Sequence, residues 1–96
     1  MNNFTYEERK QVYDAALGKF GQRMQATVAI EEMSEVIKEI TKSMRGELNR
    51  AHLAEEIADA TIMLEQLRNM FNINDSVESW VDYKIAALQR KVRKCD

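Results

Sequence analysis

Four acidic residues fall where a purely structural helix would not put them. Glu56 shares a helical sector with Leu53, Ala60, Met63 and Leu67, and Asp59 lies just to its side, because side chains three and four residues apart stack on one face of an α-helix. Glu32 and Glu35 make a second pair, three residues apart at the margin of another apolar stripe. Like charges at that spacing repel, and an unpaired buried carboxylate is strongly unfavourable. Packing the two stretches together converges four negative charges, which a hard divalent cation resolves. An all-carboxylate oxygen set suits Mg²⁺ or Mn²⁺ rather than zinc. Lys84 interrupts a third apolar stripe, formed by Val77, Val81, Ile85 and Leu88, where a cation can contact a phosphate or balance the carboxylates.

The elements that must position these groups are helices. Proline is absent and glycine occurs only at positions 18, 21 and 46, so the usual punctuation of short strands is missing. Thr5-Tyr6-Glu7-Glu8 has the form of a capping box, and Val12, Ala16, Leu17 and Phe20 follow at helical spacing, which predicts a first helix over 5–19. Ala29, Met33, Val36, Ile37, Ile40 and Met44 predict a second over 22–45, closed by Gly46. Asn49 caps a third, with Leu53, Ile57, Ala60, Leu64, Leu67 and Phe71 on one stripe and a stop at Phe71-Asn72. Asp75-Ser76-Val77-Glu78 offers a cap for a fourth, continued by Val81, Ile85, Leu88 and Val92. The expected architecture is an all-α, four-helix antiparallel bundle forming a single domain over 1–96. So short a chain buries a modest core, which favours association through apolar helix faces.

With these elements in place, Glu31-Glu32-Met33-Ser34-Glu35, twenty residues, and then Glu56-Ile57-Ala58-Asp59 resemble the EExxE…ExxD pattern of MazG-like nucleoside triphosphate pyrophosphohydrolases, a superfamily that includes the dimeric dUTPases. The resemblance runs from about Gln25 to Leu88, and is closest over Ala54–Ala60. It implies hydrolysis of a nucleoside triphosphate, a dNTP in the first instance, between the α and β phosphates. The products are the monophosphate and pyrophosphate. It also implies Mg²⁺, with Mn²⁺ as a substitute, held by Glu32, Glu35, Glu56 and Asp59. Spacing does not single out the base, for which Glu35 is the candidate. Lys84 is the candidate phosphate contact, with Lys38 and Arg45 as weaker ones. A homodimer or homotetramer is expected by the same resemblance. Relatives often carry an asparagine and an arginine a few residues after the helix-four lysine; this chain has Leu88 and Gln89 there, so the base-reading part of the site is not matched.

The remaining features exclude other classes. A formal net charge of −2 provides no positive field for nucleic acid polymers or anionic membranes. No apolar stretch approaches a membrane span and no signal-like start is present, so the expected location is the cytoplasm. Cys95, the single cysteine, reads as a solvated thiol. His52 reads as a helix surface residue, and because Asn49 precedes it by three positions, the Glu-x-x-His pairs of a di-iron bundle are missing. Glu31, Glu39, Glu55 and Glu65 are assigned to solvated faces. Trp80, Tyr83 and Phe71 are assigned to packing, and Met24, Met33, Met44, Met63 and Met70 to the core. The alternative to an enzyme is a non-enzymatic helical dimerisation or regulatory module whose acidic pairs only orient a partner.

Overall fold

The computed structural model describes residues 3–94; Cys95 lies outside the described residues. It contains four helices, α1 (Tyr6–Phe20), α2 (Gln22–Met44), α3 (Arg50–Met70) and α4 (Asn74–Lys94), and no strand among the described residues.

Local chemistry sets the boundaries. Thr5 Oγ1 accepts from the Glu8 backbone N–H at 3.1 Å, and Glu8 Oε1 accepts from the Thr5 N–H at 2.8 Å. Both halves of the capping box are therefore made, which satisfies two donors that α1 would leave open. That bonding also holds the Glu8 carboxyl below its ordinary range. A single residue, Gly21, separates α1 from α2, and its φ of 85° is one that side chains rarely adopt. Gly46 closes α2 at φ 79°. Asn49 Oδ1 accepts from the His52 N–H at 3.0 Å to cap α3. Asn72, at φ 55°, turns the chain after α3, and asparagine tolerates that conformation better than most residues. α4 begins at Asn74, so Asp75 sits inside its first turn rather than at its cap.

The packed part of the molecule is α2 against α3, with α1 laid over both. Tyr13, Ala29, Ala60 and Met63 form the buried apolar core. A polar clamp fixes α1 to α3. Arg9 Nε and Tyr13 Oη donate to Glu65 Oε1 at 2.7 and 2.5 Å, and Asn69 Nδ2 donates to Asp14 Oδ1 at 2.7 Å. Glu65 therefore does not lie on a solvated face. Its position on α3 faces the apolar side of α1, where Arg9 and Tyr13 supply the donors. Its hydrogen bond from Arg9 lowers its pKa against the opposing effect of burial. Burial, then the bond to Glu65, pushes the Tyr13 phenol up to about 12.

α4 meets α3 alone and buries none of its residues. Its stripe of Trp80, Val81, Ile85, Leu88 and Val92 is exposed, as are Met24, Met44 and Phe71, so these do not fill a core within one chain. Trp80 and Tyr83 pack on each other edge to face, centroids 5.7 Å apart. The radius of gyration is 16.2 Å, against about 12.5 Å for a compact domain of this length. The accessible surface of 7761 Å² likewise exceeds the roughly 5,700 Å² expected of a folded monomer of this mass.

Candidate metal centre

Glu56 occupies a core position on α3. It is buried with Ala60 and Met63, one and two turns further along the same face, in the sector its spacing indicates. Asp59 is half-buried beside it, and Glu32, half-buried on α2, faces both across the α2–α3 interface. One carboxylate oxygen from each of Glu32, Glu56 and Asp59 lies within 4.8 Å of the other two.

The electrostatics of Glu32 follow from the same cluster. Burial, reinforced by the negative charges of Asp59, Glu56, Glu35 and Glu31, raises the Glu32 carboxyl above its ordinary value. The donor set consists entirely of hard oxygens, and contacts below 4.8 Å between like charges are what a cation of the Mg²⁺ or Mn²⁺ type offsets. The residues fit such an ion. Glu32 comes from α2 and Glu56 and Asp59 from α3, so the three carboxylates meet across the interface of the two helices.

The other candidates stand differently. Glu35 is exposed, one turn along α2 from Glu32 and outside the three-residue group, although its charge reaches Glu32. Lys38 is exposed on α2. Lys84 is exposed on α4, where its ammonium lies 5.6 Å from the Trp80 ring centroid. Arg45 pairs with Glu47 at 3.5 Å just beyond α2. The structure thus brings together Glu32, Glu56 and Asp59, and leaves the lysines outside that group.

Two residues that the helical pattern assigns to solvent belong near this cluster. Glu39 is 3% exposed and packs between α2 and α3. Its sequence neighbours Ile37 and Ile40 are exposed instead, so the buried stripe of α2 runs through Gln25, Ala29 and Glu39. Gln25 and Ala29 are one turn apart, and Glu39 lies ten residues on, about 80° round the helix from Ala29, so apolar counting passes over two buried positions that are polar. His52 lies across from Glu39, with Nδ1 3.4 Å from Glu39 Oε1 and Nε2 3.1 Å from Glu56 Oε1. The available signal was the step of four between His52 and Glu56, which puts the two on one face of α3.

The chain matches no protein-family model, curated protein or solved structure in the comparisons made.

Proposed function

We propose that the protein is a MazG-like, Mg²⁺-dependent nucleoside triphosphate pyrophosphohydrolase. The observation that carries this reading is the convergence of Glu32, Glu56 and Asp59 from two helices to within 4.8 Å, with Glu56 buried at a core position. A solvated acidic face needs neither the convergence nor the burial. The EExxE…ExxD order in the sequence supplies the reaction class.

On this reading Glu32, Glu56 and Asp59 hold the metal, and Glu35 completes the set by a rotamer change one turn away. A divalent ion held there would supply positive charge to the triphosphate and acidity to the attacking water. Glu35, exposed on α2, is also the candidate to orient that water and take its proton. Lys84 and Lys38 are the proposed phosphate contacts. No side-chain nucleophile is required. The substrate is proposed to be a dNTP and the cofactor Mg²⁺, with Mn²⁺ able to replace it.

Association into a homodimer or homotetramer belongs to the same proposal. It is supported by the exposed α4 stripe and by an accessible surface about 2,000 Å² above the single-domain expectation, an area comparable with stable interfaces. The same exposed faces favour the second reading, a helical association module without catalysis.

A panel of dNTPs with Mg²⁺, assayed for both phosphate products, tests the reaction. Monophosphate and pyrophosphate are expected. Orthophosphate with a diphosphate product refutes the α–β cleavage, and no turnover alongside tight self-association favours the module.

A further inference from the structure

Glu39 is the most deeply buried charged side chain described, 2% exposed, and its Oε2 has no hydrogen-bond partner. Its cationic neighbours are Lys42, 3.5 Å from Oε2, and His52, 3.4 Å from Oε1. Burying a carboxylate so incompletely satisfied is costly.

The imidazole explains the placement. The His52 ring lies between two carboxylates, with Nδ1 3.4 Å from Glu39 Oε1 on α2 and Nε2 3.1 Å from Glu56 Oε1 on α3. It lies one helical turn before Glu56, whose carboxylate also comes within 4.8 Å of those of Glu32 and Asp59. Ligating carboxylates are commonly held in this way by outer partners that set their orientation.

We infer that Glu39 and His52 are positioning residues: Glu39 anchors the His52 ring, and the ring holds the Glu56 carboxylate in the orientation that binds the divalent cation. The inference rests on the metal reading above. Ligand atoms of His52, Glu55 and Glu56 also lie within 4.8 Å of one another; the inference places His52 outside the ligand set, acting with Glu39 through Glu56.

The test is Mn²⁺ binding by the full-length protein, followed by electron paramagnetic resonance and calorimetry, with melts in EDTA to establish that each variant is folded. His52→Ala and Glu39→Leu should each weaken Mn²⁺ binding by roughly 10-fold or more. The double variant should lose no more than the weaker-binding single. Glu39→Gln keeps an acceptor for Nδ1, and His52→Gln keeps a donor for Glu56, so both should bind within a few-fold of wild type. A structural role would lower the melts and leave Mn²⁺ affinity unchanged, which overturns the inference. If Glu39→Leu does not fold, His52→Ala decides, because that ring is 42% exposed and its loss leaves no sealed cavity. An imidazole nitrogen coupled directly to Mn²⁺ would make His52 a ligand, and likewise overturns it. Wild-type protein that binds no Mn²⁺ overturns the metal reading and this inference with it, whereas wild-type binding with unaffected variants overturns the inference alone.

Discussion

Replacing Glu56 by glutamine separates a metal ligand from a structural carboxylate, because the two roles predict opposite changes in the metal-free protein. Glu56 and Asp59 present oxygens within 4.8 Å of each other. Two unit charges at that distance repel by about 1 kcal/mol in a water-like medium and about 3.5 kcal/mol at an effective dielectric constant of 20. Glu32 adds to this repulsion from α2. The substitution removes it and keeps nearly the same shape. Against the gain stands the contact with His52 Nε2 at 3.1 Å. There a charged acceptor becomes an amide oxygen, at a loss of about 1 kcal/mol.

The balance for Glu56→Gln in EDTA is therefore between zero and about 2 kcal/mol of added stability, a rise in Tm of up to roughly 10 °C for a domain of this size. Excess Mg²⁺ should reverse the order. Wild type gains about 2.7 kcal/mol at a metal concentration 100 times Kd, while the variant gains little. Thermal melts with and without Mg²⁺, paired with pyrophosphate release, measure both. A variant that melts well below wild type in EDTA yet still releases pyrophosphate at a comparable rate refutes the reasoning, because the carboxylate would then be stabilising the fold through His52 and not holding metal.

Lys84→Ala should raise the triphosphate KM several-fold and leave Mg²⁺ affinity unchanged; equal losses in both would point to a structural cation. Leu88→Glu on the exposed α4 stripe should lower the mass measured by light scattering at micromolar concentration without reducing helicity, and a wild-type monomer under those conditions contradicts association through that face. The Arg9–Tyr13–Glu65 clamp gives stability a dependence at both ends of the pH scale. Glu65 has a lowered folded pKa, so its contribution is present above its unfolded value and is lost as the pH falls below about 4.5. Tyr13 has a raised one, about 12, so its contribution is complete below about 10 and is lost as the pH rises from there toward 12. Tyr13→Phe should remove the alkaline limb of a pH–Tm profile; an unchanged limb assigns it to another group.

The helices were legible because their ends are written in local chemistry. The Thr5–Glu8 box, the Gly46 stop and the Asn49 cap each act within four residues, and sequence displays such short-range pairs directly. Glu56 was legible for a related reason, since Ala60 and Met63 define its face from the same helix. What sequence did not display is which of two stripes on a helix turns inward. On α2 the apolar stripe is buried at Ala29 and half-buried at Met33 and Val36, but Ile37, Ile40 and Met44 are exposed while Gln25 and Glu39 are buried, because apolar counting ranks residue types and the packing of α3 ranks positions. Glu39 and Glu65 were hidden in the same way. Their partners, His52 and Arg9 with Tyr13, lie on other helices, and no periodicity within one helix reports a partner across an interface. The α4 stripe was visible, but an amphipathic pattern does not say whether the surface it seeks belongs to the same chain.

The charges around the site constrain how a substrate can reach it. Glu31, Glu32, Glu35, Glu39, Glu55, Glu56 and Asp59 crowd one side of the α2–α3 pair, and the cations paired with them among the described residues are Lys42 and His52. Even with the imidazole counted as charged, seven carboxylates against two cations leave five negative charges in excess. One divalent ion does not reverse that sign. A triphosphate approaching a site with a single bound metal therefore meets net repulsion, relieved only by a cation that it brings itself or by lysines outside the group. Lys38, exposed one turn along α2 from Glu35, is the lysine nearest in sequence to the ligands. Lys84 lies on a helix that packs against α3 alone. On the proposed function, substrate binding should thus depend on free Mg²⁺ beyond the concentration that fills the first site, because the metal that arrives with the phosphates changes the sign of the field they encounter.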